Sequence, residues 1–208
     1  MNKISNSNFW DRYARIYNKF MQKDKKAYEQ MYVLLRPIVN SKNVLEVATG
    51  TALIANNIAK YAKQVEAIDS SEQMIRIAQK DNKNANLHFS VADMFNLPYI
   101  SNSFDVVIVA NALHVVPQPE KALSEIKRVL KDDGILVAPT FTHADNRTKS
   151  KARLAIMKIL GFPLKSKWSN DEYLTFLEQN GWIVNKNVIL NASFPLSYVE
   201  CSPKDKKR

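Results

Sequence analysis

The spacing of apolar positions divides the chain into a helical N-terminal part and an alternating remainder. Over residues 7–24, large apolar side chains recur at intervals of three and four residues, which is typical of an amphipathic helix. This face consists of Phe9, Trp10, Tyr13, Ile16, Tyr17 and Phe20. Residues 26–39 predict a second helix, which Pro37 is expected to weaken or end. We predict that residues 1–40 form a helical lid.

From residue 43 onward, short apolar runs rich in β-branched residues alternate with helical patterns. The runs that predict strands are 44–48, 64–69, 86–93, 104–111 and 135–141, and the segments that predict helices are 53–62, 71–80 and 119–130. Ser70 or Ser71 suits the N-cap of the second of these helices, and Asp133-Gly134 predicts a turn. The alternation predicts an α/β fold with a parallel sheet and helices on both faces.

The pattern after residue 141 predicts two more helices and a terminal pair of strands. The helices are expected at 146–160 and 170–180, and the strands at 182–191 and 194–200. Ser169 and Glu172 match a capping box at the start of the second helix. The adjacent strands predict an antiparallel hairpin, with Pro195 at an edge or a bulge. We therefore place the core domain at residues 41–200 and a basic tail at 201–208.

The composition fits one globular domain with appended elements. Of the 208 residues, 46% are hydrophobic and 24% are charged, which is ordinary for a folded domain. Cys201 is the single cysteine of the sequence, so an intrachain disulfide is excluded. The sequence has no apolar run of signal-peptide or transmembrane length. We expect a cytoplasmic protein.

Candidate binding residues follow the predicted strands at their carboxyl ends, where open parallel sheets bind ligands. In the loop EVATGTA after the first strand, Gly50 allows a tight turn and a close approach of the backbone to a ligand. Asp69 ends the second strand and suits the two hydroxyls of a ribose, or else caps the next helix. Asp93 follows the third strand, where it could reach an adenine edge. Ala48 and Ala52 stand where a full glycine fingerprint has glycines.

Four stretches of the sequence resemble class I S-adenosylmethionine-dependent methyltransferases, in the small-molecule branch that includes the ubiquinone/menaquinone biosynthesis enzymes. They are FWDRYARIYNKF (9–20), VLEVATGTA (44–52), VEAIDSSEQMIRIAQ (65–79) and the segment 91–139. The resemblance covers residues 9–145. It implies a Rossmann-like, mostly parallel sheet of seven strands with an antiparallel C-terminal hairpin, and S-adenosyl-L-methionine as the cofactor.

The resemblance also implies which residues bind the cofactor. They are Tyr17, Glu46, Ala48, Thr49, Gly50, Asp69, Ser70, Met74, Asp93, Met94 and Asn111. In this assignment the loop around Ala48 and Gly50 holds the methionine part. Asp69 holds the ribose hydroxyls, and Asp93 with Met94 flanks the adenine.

Methyl transfer from a sulfonium needs no metal and no covalent enzyme intermediate, so the protein mainly aligns the reacting groups and excludes water. A general base is needed only when the acceptor must lose a proton. His114 is the candidate base, and the alternative is a packed histidine in the pocket wall. The candidate substrate-pocket residues are Tyr13, His114, His143 and Trp168. The histidines lack metal-ligand spacing, so we predict no metal.

The formal net charge of +10 is concentrated in three flanking segments. Residues 1–42, 147–167 and 201–208 carry +6, +7 and +3, which is either a solvated lysine-rich surface or an attraction for anionic partners. The segment 147–167 mixes cations with apolar residues. It predicts a basic helix on an anionic membrane surface, or a lid helix packed by its apolar side chains. We hypothesise that it steers a lipophilic or anionic small-molecule acceptor into the pocket.

Methyl transfer to a small molecule by direct displacement is the leading interpretation. The alternatives are an RNA or protein methyltransferase, a nicotinamide dehydrogenase and a non-catalytic cofactor-binding protein. The sequence shows no RNA-binding module, so nucleic acid is not the expected partner. After the fourth strand it reads Asn111-Ala112-Leu113-His114 instead of the Asn/Asp-Pro-Pro-aromatic tetrapeptide typical of amino-methylating enzymes. The missing glycines argue against a dehydrogenase, and the oligomeric state stays open.

Overall fold

The computed structural model describes residues 5–80, 82–142 and 162–204. The helices are α1 (Ser5–Met21), α2 (Lys25–Val39), α3 (Leu53–Ile58), α4 (Glu72–Lys80), α5 (Pro119–Val129) and α6 (Asn170–Gln179), with a 3-10 turn at Gln22–Asp24. The strands are β1 (Asn43–Val47), β2 (Gln64–Asp69), β3 (Leu87–Val91), β4 (Phe104–Val109), β5 (Leu130–Val137), β6 (Thr140–Phe141), β7 (Trp182–Leu190) and β8 (Leu196–Pro203). The helix predicted at 146–160 lies outside the described residues.

The strands form one mostly parallel sheet in the order β3-β2-β1-β4-β5-β8, with β7 on the far side of β8. Strands β1 to β5 run parallel, and β8 is antiparallel to β5, β6 and β7. Strand β6 continues β5 along β8 in the same register after an interruption at Ala138 and Pro139. The predicted seven-stranded arrangement with a C-terminal hairpin is therefore confirmed, its fifth strand being split in two. The strand order reverses between β1 and β4, which places a topological switch point beside β1.

Both faces of the sheet are covered by apolar helix faces, as the sequence predicts. Alternating side chains of β1 enter opposite cores, with Val44 facing α2 and α3, and Leu45 and Val47 facing α5 and α6. The anchors on the two sides include the fully buried Leu35 of α2 and Ile126 of α5. Burying a side chain of this size contributes about 1.5–3 kcal/mol, so these contacts hold the carboxyl ends of the strands in a rigid frame.

The caps at two helices agree with the sequence. At α6, Glu172 N–H donates to Ser169 Oγ (3.3 Å) and Ser169 N–H donates to the Glu172 carboxylate (2.8 Å), which is a capping box. At α4, Met74 N–H donates to Ser71 Oγ (3.1 Å), so Ser71 is the N-cap among the two candidates. Pro195 directly precedes β8, where its carbonyl accepts from Thr142 N–H.

The prediction of a turn at Asp133-Gly134 is wrong. Both residues lie inside β5, where the pairing with β4 shifts register between Phe104 and Val106. A β-carbon on Gly134 would lie 2.7 Å from Leu130 Cδ1 and 3.0 Å from the Lys131 carbonyl oxygen. Glycine is required here because of space, which the sequence pattern does not distinguish from a requirement of turn geometry.

No helix within the three described ranges combines the length and the apolar character that spanning a membrane requires.

Candidate functional site

Two adjoining cavities open at the carboxyl ends of the central strands, against α1. The first, called here the rim cavity, has a volume of about 80 Å³ and is lined by Tyr17, Gly50, Asp69, Met94 and other residues. The second, called here the aromatic cavity, has a volume of about 220 Å³. Trp10, Tyr17 and Asn111 line both of them. Concave sites at the carboxyl ends of parallel strands are typical of small-molecule binding, and the shared wall would bring two ligands close together.

The loop after β1 takes the conformation of a glycine-rich turn although it contains one glycine. Ala48, Gly50 and Ala52 all have positive φ, at +58°, +57° and +64°. This left-handed conformation costs a residue with a β-carbon roughly 1–2 kcal/mol. Ala48 and Ala52 therefore replace the expected glycines without changing the backbone conformation of the turn. A β-carbon on Gly50 would lie 3.6 Å from Tyr17 Cε1, so the turn passes close under α1.

We expect Ala48→Gly to raise the free energy of unfolding by about 0.5–1 kcal/mol, because relief of the left-handed strain exceeds the entropy that glycine adds to the unfolded chain. Urea unfolding monitored by circular dichroism measures the change. The matched control is Ala55→Gly in α3, which is expected to lower stability by about 1 kcal/mol because its helical backbone favours alanine. Equal destabilisation by both substitutions would contradict the strain at Ala48.

Asp69 joins the turn to the start of α4. It is 8% exposed, its Oδ2 accepts from Gly50 N–H (2.8 Å), and its Oδ1 accepts from Ser71 N–H (2.9 Å). Burial raises the pKa of this carboxyl group, and backbone N–H donors, those of Ser71 and Gly50 foremost, oppose the rise. A carboxylate has about four lone-pair positions, so two remain for a ligand in the rim cavity. Both sequence interpretations of Asp69 are thus compatible, since it touches the helix start and lines the cavity.

Glu46 and Thr49 lie behind the turn and are not among the residues that line the rim cavity. Glu46 is 2% exposed, and Thr49 donates to its Oε2 (2.6 Å). Burial raises the pKa of Glu46 to about 8, because the charged carboxylate loses its hydration. This pair therefore supports the loop from below, and its predicted contact with a cofactor stays a prediction.

Most of the predicted cofactor residues line the rim cavity, and Asp93 does not. Those that line the rim cavity are Tyr17, Ala48, Gly50, Asp69, Ser70, Met74, Met94 and Asn111. Asp93 is exposed and its Oδ1 accepts from Phe95 N–H (2.9 Å), which forms a tight turn. This turn directs Met94 into the cavity, while Asp93 is not one of the lining residues.

Helix α1 is attached to the site by polar contacts that the sequence did not reveal. Ser71 Oγ donates to Asp11 Oδ1 (2.5 Å), and Thr51 Oγ1 donates to Asn18 Oδ1. Burial, followed by the charge of Asp69, raises the pKa of Tyr17 on the same helix. Helix α1 thus lies over both cavities, and its role as a lid stays a prediction.

Asn111 forms the wall between the two cavities. It has φ of +53°, its N–H donates to the Pro139 carbonyl (2.8 Å), and its Nδ2 donates to Tyr28 Oη (2.9 Å). Its Oδ1 is buried and accepts no hydrogen bond from a described residue. A buried acceptor without a donor costs about 1–3 kcal/mol, so this atom favours a ligand that carries a donor.

His114 lies in the wall of the aromatic cavity, as does Tyr13. The imidazole is 2% exposed, and its Nδ1 is 2.8 Å from Thr140 Oγ1. This contact orients the ring and is consistent with both sequence interpretations, a base and a packed wall residue.

Two further substrate-pocket predictions have different outcomes. Trp168 stacks on Phe176 with ring centroids 4.7 Å apart and is not among the residues that line either cavity. His143 lies outside the described residues. Within the described ranges, no group of His, Cys, Asp and Glu side chains is arranged to hold a metal ion.

Comparison with known proteins shows what this arrangement is similar to. Residues 45–138, from β1 to the end of β5, match the profile described as "Methyltransferase domain". The ubiquinone/menaquinone biosynthesis C-methyltransferase UbiE of Rickettsia bellii is 34% identical over 146 residues, 65% of this chain and 58% of that protein. The resemblance predicted from the sequence is confirmed. The chain spans about half the length of the curated relatives it matches.

Solved structures show the same fold. A putative methyltransferase complexed with the Trm112 methyltransferase activator of Haloferax volcanii has a TM-score of 0.80 at 17% identity, over 94% of this chain and 98% of that chain. The DhpI–SAH complex has a TM-score of 0.74 at 21% identity, over 96% of both chains. At these identities the likeness establishes the Rossmann-like architecture alone.

Proposed function

We propose that this chain, which carries a methyltransferase domain over residues 45–138, is an S-adenosyl-L-methionine-dependent methyltransferase with a small lipophilic acceptor. The observation that carries the proposal is the pair of adjoining cavities. The rim cavity holds the carboxylate of Asp69 beside Gly50, and the aromatic cavity meets it at Trp10, Tyr17 and Asn111. A donor and an acceptor molecule would meet at that shared wall.

The rim cavity fits the cofactor chemically. The two lone-pair positions left on Asp69 match the two hydroxyls of a ribose, and Met74 and Met94 offer apolar contacts to a flat base. The lone acceptor Oδ1 of Asn111 can take a hydrogen bond from an amino group. The cofactor, when bound, supplies a methyl group on a sulfonium, which a nucleophilic acceptor atom displaces without help from a metal.

The residues of this chain would contribute alignment and exclusion of water. Tyr17 and Trp10 from α1 cover the shared wall, and Asn111 is held in place by Tyr28 and by the Pro139 carbonyl. A fixed wall restricts the approach of the acceptor, which is the largest contribution available when no covalent step is needed. Where the acceptor atom carries a proton, the imidazole of His114 in the aromatic cavity could remove it.

The charged segment 147–167 adds two further proposals, namely peripheral contact with an anionic membrane and steering of the acceptor. Residues 147–161 lie outside the described residues, and both proposals are based on the charge and the apolar residues of the sequence. Cytoplasmic localisation is likewise a proposal.

Isothermal titration calorimetry of the full chain tests the cofactor directly. We expect binding of S-adenosyl-L-methionine at micromolar concentrations and no heat from NAD at the same concentrations. A radiolabelled methyl group should then appear in organic-soluble metabolites of a lysate, and ribonuclease should not change the yield. Binding without transfer to any fraction would favour a non-catalytic cofactor-binding protein, and ribonuclease-sensitive label would favour an RNA methyltransferase.

A further inference from the structure

The aromatic cavity is lined mainly by ring faces and edges. Phe9 stacks on Tyr13 with centroids 4.3 Å apart, and Phe162 meets Phe9 and Trp10 edge-on at 6.0 and 5.8 Å. The faces of such rings carry negative partial charge and attract cations as well as apolar groups. Among the described residues that line the cavity, none is a lysine or an arginine. The described part of the wall therefore gives no cationic side chain to an anionic ligand.

One carboxylate, that of Asp24, lies in this wall. Asp24 belongs to the 3-10 turn between α1 and α2 and is 6% exposed. Its Oδ1 accepts from Ser193 N–H (2.6 Å), whereas its Oδ2 accepts no hydrogen bond from a described residue. It also forms no ion pair within the described ranges. A carboxylate on a side chain that is 6% exposed has lost most of its hydration, which favours pairing with a cation.

We propose that the acceptor of this methyltransferase is a lipophilic amine, bound as its ammonium ion with the charge at Asp24 and the apolar body between the rings. Two independent features favour the same charge, because both a buried carboxylate and a cage of aromatic faces stabilise a cation. The proposal rests on the proposed function for the identity of the aromatic cavity as the acceptor site. The proposed acceptor is positively charged, whereas the net charge of the chain suggested an anionic acceptor.

The ammonium group serves as the anchor and is not the atom that receives the methyl group. A protonated amine paired with a carboxylate has no lone pair with which to attack a sulfonium. The methylated atom is therefore a second nucleophile on the same molecule, directed toward Asn111 at the shared wall. This assignment agrees with the sequence Asn111-Ala112-Leu113-His114, which lacks the tetrapeptide of amino-methylating enzymes.

Three matched probes test the charge preference without turnover. 3-Phenylpropylamine, 3-phenylpropanol and 3-phenylpropionate share a body and differ in the end group, and calorimetry with the full chain measures each affinity. We expect the amine to bind about tenfold more tightly than the alcohol, and the carboxylate to bind most weakly. Equal binding of amine and alcohol, or preference for the carboxylate, overturns the proposal.

Asp24→Asn is the diagnostic variant, because the amide oxygen can still accept from Ser193 N–H. We expect its affinity for the amine to fall about tenfold and its affinity for the alcohol to change less than twofold. The control is Asp171→Asn, an exposed carboxylate at the start of α6, which should leave all three affinities unchanged. An unchanged amine affinity in Asp24→Asn overturns the assignment of the anchor. The wild-type probe series decides the charge preference even where the variant fails to fold.

Titration of the wild-type chain with S-adenosyl-L-methionine separates the two proposals. If the chain binds the amine but not the cofactor, the proposal of a cation-binding site stands and the proposed methyl-transfer function is contradicted. A chain that binds the cofactor and prefers the carboxylate probe retains the function and loses the amine proposal.

Discussion

Replacement of Asp69 by asparagine is expected to weaken binding of S-adenosyl-L-methionine about 100-fold, which corresponds to about 3 kcal/mol. The carboxylate is held by Gly50 N–H and Ser71 N–H, and its remaining lone pairs face the rim cavity. Hydrogen bonds to a charged acceptor are worth about 1.5–3 kcal/mol each. Asparagine has a single acceptor oxygen, so it cannot hold both backbone donors and also bind two hydroxyls.

Calorimetry at constant ionic strength measures this loss, and urea unfolding shows whether the fold survives. The control is Asp132→Asn in β5, an exposed carboxylate outside both cavities. Asp93→Asn adds a second comparison, because the sequence implies an adenine contact while the structure places Asp93 outside the lining. A tenfold or smaller effect of Asp69→Asn would show that the rim cavity does not bind the ribose through this carboxylate.

The second large effect concerns pH and Glu46. The pKa of this carboxyl group is raised by burial from 4.5 to about 8, so the native state keeps a proton that the unfolded chain releases near pH 4.5. The stability contribution is complete below pH 4.5 and is lost as pH rises through 8. The slope is about 1.4 kcal/mol per pH unit between these two pKa values, so the wild-type loses roughly 5 kcal/mol from this group by pH 9.

Glu46→Gln removes this dependence, because the amide resembles the protonated acid and can still accept from Thr49 Oγ1. We expect the variant and the wild-type to be equally stable near pH 4.5, and the variant to be more stable by about 5 kcal/mol at pH 9. Urea unfolding across this pH range tests the difference. Glu178→Gln, at an exposed position of α6, should follow the wild-type curve. A variant curve parallel to the wild-type curve would mean that Glu46 is ionised in the native state at neutral pH.

Much of the fold could be predicted from the sequence because its causes are local. The strand at Gln64–Asp69 begins and ends at the residues predicted from the sequence, and the capping box at Ser169 involves residues three positions apart. The separation of Gly50 and Asp69 follows from one strand–helix–strand unit, whose parallel strands end at the same edge. A site at that edge was therefore predictable from the order of elements.

The conformation of the loop after β1 was only partly predictable. Ala48 and Ala52 take left-handed backbones that residue preference assigns to glycine, since the surrounding strands and α3 stabilise the strained turn. At Asp93 the residue type suggested a ligand contact that the structure does not show. The side chain accepts from Phe95 N–H in a local turn, and the neighbouring Met94 lines the cavity.

The linear pattern of this protein specifies its elements, their order and the edge at which ligands would collect, because periodicity and strand polarity act over short stretches of chain. The composition of the aromatic cavity depends on packing between distant segments. Asp24 meets Ser193 across 169 positions, and Asp11 meets Ser71 across 60, as α1 and the following turn close over the sheet. The charge and shape of that pocket follow from the way these segments pack, and no short-range signal encodes such contacts.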